Sequence, residues 1–175
     1  MDFDLINKKL SQAQICLSEM YAQESRAFDS TNSFERHHDG FLSACATVRG
    51  LFHERGGGPR DKAIKDWKSA WVKNLTGKET ALYDYMQDDR NETQHAGRSM
   101  RLVKAKELKI GSSYRDDKCI IEGNAGPPDT VGVTIQKTQH VYDIDGVERD
   151  VTTVCSDYLE LLKRMVAEAK PLTYE

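Results

Sequence analysis

The chain has little of what marks a secreted, membrane-spanning or disordered protein. It has four prolines in 175 residues, and no stretch approaches the roughly 20 apolar residues needed to cross a bilayer. Residues 1 to 5 lack the basic flank and apolar run of a signal peptide. We therefore expect a cytoplasmic protein with no membrane partner.

Cysteine is equally sparse. The four cysteines lie far apart with no paired spacing, which predicts neither a zinc site nor a redox motif. We interpret them as small buried apolar residues. They are Cys16, Cys45, Cys119 and Cys155.

What the chain does have is the composition of one hydrated globular domain. Hydrophobic residues make up 38% and charged residues 30%, and the length suffices for a sizeable core. The net charge of -3 argues against nucleic-acid binding through overall positive charge. Binding through a local basic patch is still compatible with it.

The first half of the chain has helical periodicity. Apolar residues recur at alternating spacings of four and three, which places them on one face of a helix. Glycines 56 to 58 end the second helix because glycine disfavours a helix interior. A lone histidine on such a face is typically a satisfied core residue, although His38 or His37 could face a site. The first stripe is Ile6, Leu10, Ala13, Leu17, Met20 and Ala27, and the second is Phe34, His38, Phe41, Cys45, Val48 and Phe52.

A third helical region opens at Pro59, which suits a first helical turn. It bends or breaks near Gly77 and stops at Gly97, a typical C-terminal glycine. Trp67 and Trp71 are interpreted as core anchors.

After Gly97 the pattern changes to short alternating runs separated by glycine and proline. Asp145-Gly146 between two such runs predicts a two-residue hairpin, with strand residues continuing to Val151. The last helix is predicted to start at a Ser156 or Asp157 cap. The predicted fold is mainly α, a four- to five-helix bundle from residues 1–100 plus 154–170. A small antiparallel β insertion, residues 101–153, precedes the C-terminal helix in the same domain.

One polar cluster, residues 90 to 95, lies near the end of the third helical region. In a helix Asn91 and His95 project on the same face. Arg90 follows Met86 by four residues, so we expect it to point inward or into a groove. An arginine in that position needs an anionic partner.

This cluster resembles the signature of the HEPN family, the higher-eukaryote and prokaryote nucleotide-binding domains. Arg90 and His95 have four residues between them, and Asn91 fills the polar position after the arginine. The likeness covers about residues 3 to 97 and the final helix, and it implies a HEPN-like helical bundle. The strand segment falls outside it.

The resemblance implies a metal-independent endoribonuclease that needs no cofactor and whose active site forms between two subunits of a homodimer. His95 would transfer protons at the ribose 2′-hydroxyl, and Arg90 would hold the phosphate. Asn91 would orient the imidazole or contact the phosphate. RNA is then the substrate. Such domains often act as toxins or in phage defence, with a separate antitoxin as partner.

Basic residues follow the cluster and could guide a phosphate backbone. Arg98, Arg101 and Lys104 are the predicted substrate-binding residues, and Lys106 and Lys109 extend the run. The alternative interpretation is a solvated strand edge on which lysine discourages aggregation.

Two other classes of function remain open. One is a non-catalytic HEPN-like module that binds RNA, a nucleotide or a protein partner through the same groove. The other is a structural or regulatory bundle in which Arg90 and His95 only form salt links and cap helices. Burial of Arg90 against Asp88 or Asp89 would favour the structural bundle.

Overall fold

The computed structural model describes residues 2–24, 31–52, 59–97, 99–115, 118–122 and 131–170. It confirms a mainly α fold with a small antiparallel sheet before the C-terminal helix. In chain order the elements are α1 Phe3–Glu24, α2 Thr31–Gly50, α3 Pro59–Lys73, α4 Gly77–Ala96, β1 Leu102–Arg115, β2 Lys118–Glu122, β3 Val131–Ile144, β4 Val147–Asp150 and α5 Val151–Ala169.

Helices α1 and α2 pack against each other through the predicted stripes. All six residues of the second stripe, from Phe34 to Phe52, are buried, which confirms that prediction. The helix itself ends at Gly50, earlier than the predicted stop at glycines 56 to 58. In α1 the stripe is buried except at Leu10, which is partly buried, while Ala27 and glycines 56 to 58 lie outside the described residues. Of the cysteines, Cys45 and Cys155 are buried and Cys16 is half-buried. The side chain of Cys119 lies outside the described part.

Helix α4, which carries the polar cluster, has well-defined ends. Thr76 and Glu79 form a capping box, in which the Thr76 backbone N–H donates to Glu79 Oε2 at 2.9 Å. Gly97 ends the helix with φ 65°, the left-handed conformation that glycine adopts without a steric penalty. The predicted break near Gly77 and the stop at Gly97 are therefore confirmed.

The four strands form an antiparallel sheet in the order β2-β1-β3-β4. Strands β1 and β3 pair from Leu102 opposite Val141 to Ser112 opposite Val131. The predicted Asp145-Gly146 hairpin is confirmed, since both residues have the positive φ of a type I′ turn, 54° and 77°. β3 is one continuous strand, whereas the sequence pattern indicated two shorter runs, residues 131–135 and 140–144. The polar residues 136 to 139 interrupt the apolar pattern while the strand itself continues.

The start of α5 corrects a prediction. The helix begins at Val151, so the Ser156 or Asp157 cap is wrong, and the insertion ends before residue 153. Asp150 is the cap, with Oδ1 accepting from the Thr152 backbone N–H at 3.1 Å. The β-branched residues 151 to 154 favour a strand intrinsically, but Val151 and Val154 are fully buried. Tertiary packing therefore overrides their local preference.

The core lies between the helices and the end of the sheet. Helix α5 contacts α1, α4 and α2 and buries the large side chains of Tyr158, Leu162 and Met165. Tyr142 and Ile144, near the end of β3, belong to the same apolar cluster. The sheet thus extends into the core of the bundle at its β3–β4 end. No helix in the described ranges is both long and apolar enough to cross a membrane.

Candidate functional site at the end of helix α4

The last turns of α4 bring part of the predicted cluster together. Arg90 is half-buried, and its Nη1 donates to Asn91 Oδ1 at 3.2 Å. Buried polar atoms in the same turn, Arg90 Nε and Thr93 Oγ1, have no hydrogen-bond partner among the described residues. His95 is exposed one turn further on. The cluster therefore combines a held guanidinium with a solvent-accessible imidazole.

Asp89, and not Arg90, takes the innermost position on this part of the helix. Asp89 is fully buried, and Arg90 is only half-buried. Asp89 and Arg90 follow Met86 by three and four residues. Either spacing places a side chain near the helix face that Leu82 and Met86 bury, so the spacing alone does not decide between the two. Within the described part of the chain, Arg90 makes no ion pair with Asp88 or Asp89. The arrangement that would have favoured a purely structural role for Arg90 is thus not present.

Asp89 is the centre of a buried hydrogen-bond network. Its Oδ1 accepts from Ser99 Oγ at 2.8 Å and from the Met100 backbone N–H at 2.6 Å. Its Oδ2 accepts from the Tyr142 hydroxyl at 2.5 Å and lies 3.4 Å from His38 Nε2. The network links α4, the turn after it, α2 and β3. It fixes the position of the helix end that carries Arg90 and His95.

The protonation of this network follows from its geometry. Burial, and then nearby acidic groups that include Asp89, raise the pKa of Tyr142 well above its usual range. The Tyr142 hydroxyl therefore keeps its proton and donates it to Asp89. The Tyr142 oxygen is also hydrogen-bonded to His38 Nε2. Because the Tyr142 proton is directed to Asp89, His38 Nε2 is the donor in this second hydrogen bond. His38 is a satisfied core residue, as predicted, and it faces the end of α4.

A shallow groove of about 640 Å³ opens beside the cluster. Its walls come from α4 and from the chain that leads into β1, so the groove brings two predicted site residues, Asn91 and Arg101, onto one surface. The lining residues are Asp88, Asn91, Glu92, Ser99, Met100, Arg101 and Leu102.

The predicted substrate-binding cations have different surroundings. Arg101 Nη2 donates to Glu35 Oε1 at 2.7 Å, and the Arg101 side chain is only 5% exposed. Lys104 is on the exposed sheet surface and pairs with Glu148. Arg98 lies outside the described residues, as do the side chains of Lys106 and Lys109. The structure therefore places Arg101 in the groove wall and Lys104 away from it.

Arg101 lies beside an aromatic stack that the sequence did not reveal. The rings of Phe34 and His140 are parallel to within 15° with centroids 3.8 Å apart. The Arg101 guanidinium carbon is 5.3 Å from the Phe34 centroid. His140 is fully buried. Burial, and then the charge of Arg101, lower the pKa of His140 to about 4, so its imidazole is neutral at neutral pH.

Asp89 and His140 are thus two residues that sequence reasoning missed. A signal existed for each. Asp89 follows Met86 by three residues, a core-facing spacing, and His140 precedes the buried Tyr142 by two, which puts both on one strand face. Neither pattern indicates a partner, because Asp89 and Tyr142 are 53 residues apart in the chain.

A larger groove, of about 890 Å³, lies at the other end of α4 between the β3–β4 hairpin and α5. Two ion pairs lie in its walls, Arg149 with Asp157 and Arg164 with Glu79. None of the predicted site residues lines it. The smaller groove is therefore the candidate site, on the grounds of its chemistry.

In the described parts of the chain, no group of three or more His, Cys, Asp or Glu side chains is arranged to hold a metal ion. Comparison with known proteins adds no further candidate, because no family model, no curated protein and no solved structure matches this chain.

Proposed function

We propose that the protein is a metal-independent endoribonuclease of the HEPN type, with a composite active site at a homodimer interface. One observation carries the proposal. The half-buried Arg90 guanidinium is held by Asn91 and retains an unpartnered Nε, one turn before the exposed His95 imidazole. A partnerless arginine donor and an accessible imidazole in the last turns of one helix suit a substrate that carries both a phosphate and a hydroxyl group.

The proposed reaction uses these residues in sequence. His95 accepts the proton of the ribose 2′-hydroxyl, and the 2′-oxygen attacks the adjacent phosphorus. The bond from phosphorus to the 5′-oxygen breaks, which leaves a 2′,3′-cyclic phosphate and a 5′-hydroxyl. Arg90 stabilises the negative charge on the phosphate oxygens. Asn91 holds the Arg90 guanidinium, and this observed contact supports a positioning role for the amide.

A dimer supplies the second proton transfer. A single chain offers one His95, and the leaving 5′-oxygen needs an acid while the 2′-hydroxyl needs a base. A symmetric dimer provides two copies of the imidazole. The surface beside the site supports such a contact, since Leu102 is 43% and Val103 53% exposed at the start of β1. A role as a toxin or in phage defence, with a separate antitoxin, is the cellular setting we propose.

A non-catalytic module that binds RNA, a nucleotide or a protein partner is the second candidate. It is favoured by the pairing of the predicted cations, Arg101 with Glu35 and Lys104 with Glu148. The carboxylates of Asp88 and Glu92 also line the groove. These acidic groups weaken the attraction for a phosphate backbone, which fits recognition without cleavage.

The first test compares RNA cleavage by the wild type, His95→Ala and Gln94→Ala. Gln94 is the exposed neighbour of His95, so its variant controls for a change on the same helix turn. We expect His95→Ala to lower the cleavage rate by about 100-fold or more, because it removes the proton-transfer group, and Gln94→Ala to leave the rate unchanged. The measurement is a gel assay on mixed cellular RNA, with and without chelator.

Three results would contradict the proposal. They are equal cleavage by His95→Ala and the wild type, loss of cleavage on chelation, and cleavage of a substrate whose scissile nucleotides are all 2′-deoxy. Sedimentation velocity tests the dimer, and a monomer at assay concentrations would contradict the composite site.

A further inference from the structure

The Arg101 side chain has more hydrogen-bonding capacity than the protein uses. Its Nη2 donates to Glu35, but Nε and Nη1 are buried and have no partner among the described residues. The Arg101 side chain is only 5% exposed. The donors of such a buried arginine are normally hydrogen-bonded, because a buried donor without an acceptor costs free energy. These two donors therefore need an acceptor that the described residues do not supply.

His140 has the same deficit next to Arg101. Both ring nitrogens of His140 are buried and without a hydrogen-bond partner in the described structure. A neutral imidazole still offers one N–H donor. Arg101 and His140 both contact the Phe34 ring, so these donors belong to one small region, and Arg101 links that region to the groove that it lines.

We propose that this region is a phosphate-binding subsite, in which Arg101 binds the phosphate group of a nucleotide next to the one that Arg90 engages. Arginine matches a phosphate group geometrically and keeps its charge when buried. Asn91 lines the same groove and contacts Arg90, so it joins the two arginine positions. The subsite would hold an RNA strand in register while His95 acts.

The other residues that line the groove indicate that the nucleoside part of the ligand lies beside the phosphate. The carboxylate of Asp88 suits the hydroxyl and amino donors of a nucleoside. Met100 and Leu102 add apolar surface. A volume of about 640 Å³ lies within the usual range for small-molecule sites. The proposal rests on the proposed function for the choice of RNA as ligand.

Glu35 provides the sharpest test, because it competes with the phosphate for Arg101. Glu35→Gln removes that competitor without changing a buried residue. Asp157→Asn is the matched control, since Asp157 also pairs with an arginine, Arg149 at 2.6 Å, and the two carboxylate side chains are 46% and 51% exposed. Each variant removes one negative charge. All variants are made in the His95→Ala background so that RNA stays intact.

The measurement is fluorescence anisotropy with a short 5′-labelled single-stranded oligoribonucleotide. We expect Glu35→Gln to bind several-fold more tightly than the parent, Asp157→Asn to match the parent, and Arg101→Gln to bind about tenfold more weakly through loss of a charge-assisted contact. Equal tightening by Glu35→Gln and Asp157→Asn, no change in either, or binding too weak to measure in every variant overturns the proposal. If Arg101→Gln does not fold, the comparison of Glu35→Gln with Asp157→Asn decides alone.

The outcome separates the subsite from the ribonuclease activity. Wild-type cleavage combined with parental binding by the Glu35 and Arg101 variants rejects the subsite and leaves the proposed function standing. Tighter binding by Glu35→Gln without wild-type cleavage supports the subsite in a protein that binds RNA and does not cut it.

Discussion

The two sides of the last turns of α4 differ in how their polar groups are satisfied. On the inner side, Asp89 accepts three hydrogen bonds, from Ser99, Met100 and Tyr142. On the outer side, Arg90 Nε and Thr93 Oγ1 are buried without described partners. The inner side therefore serves the fold, and the outer side is where we propose that a ligand or a second chain binds. Adjacent residues, 89 and 90, carry these opposite roles.

Removal of the inner carboxylate should have the largest effect on stability. Asp89→Ala leaves the Tyr142 hydroxyl, the Ser99 hydroxyl and the Met100 amide without their acceptor. We expect the free energy of unfolding to fall by about 3 to 5 kcal/mol. Urea denaturation measures it, with the exposed neighbour variant Asp88→Ala as control, for which a change within about 0.5 kcal/mol is expected. Similar losses in both variants would abolish the distinction between the two sides.

The pH dependence of stability tests the stack beside the groove. The pKa of His140 is lowered to about 4 in the folded protein, against about 6.5 in the unfolded chain. Below pH 6.5 His140 is protonated in the unfolded chain, whereas in the folded protein it stays neutral down to about pH 4. The free energy of unfolding should thus fall by about 2 to 3 kcal/mol as the pH drops through this window.

His140→Phe keeps an aromatic ring against Phe34 and removes the titrating group, so its stability should depend less on pH between 4 and 6.5. His95→Ala, which removes an exposed histidine, should keep the wild-type slope. Denaturation midpoints at several pH values report the difference. A His140→Phe slope equal to that of the wild type would show that another group is responsible. Arg101 and His38 also lower this pKa, and Asp150 raises it.

Removal of a single hydroxyl from each side gives the smallest and most direct comparison. Tyr142→Phe deletes the donor to Asp89 and should cost about 1 to 2 kcal/mol. Thr93→Val replaces an unpartnered buried hydroxyl with a methyl group and should leave stability unchanged or slightly increased. Thermal denaturation of the two variants measures the contrast. A loss of stability in Thr93→Val as large as that in Tyr142→Phe would mean that Thr93 has a structural partner.

The helices were predictable because their signal is local. The α2 stripe is buried throughout, since a regular spacing of apolar residues needs only one partner surface. The Asp145-Gly146 turn was predictable for the same reason, because its dipeptide fixes the backbone conformation. The start of α5 was not, because packing of Val151 and Val154 outweighs their strand propensity.

The candidate site was predictable as residue types and not as an arrangement. The polar cluster drew attention to Arg90, Asn91 and His95, and the structure places the first two in contact. The spacing did not distinguish Arg90 from Asp89 as the inward residue. That choice is made by Tyr142 and His38, which approach from β3 and α2 and offer partners to a carboxylate. Contacts between residues so far apart in the chain leave no local pattern.

The position of Tyr142 has a consequence for the β insertion. The sheet lies outside the resemblance, and its sequence reads as an appendage to a helical bundle. Yet β3 places Tyr142 against Asp89 of α4 and His140 against Phe34 of α2, so it contacts two helices of the bundle. The bundle is therefore incomplete without residues 140 to 142. A shortened form of this protein could lose the far end of the β1–β3 ribbon but must keep the end that enters the core.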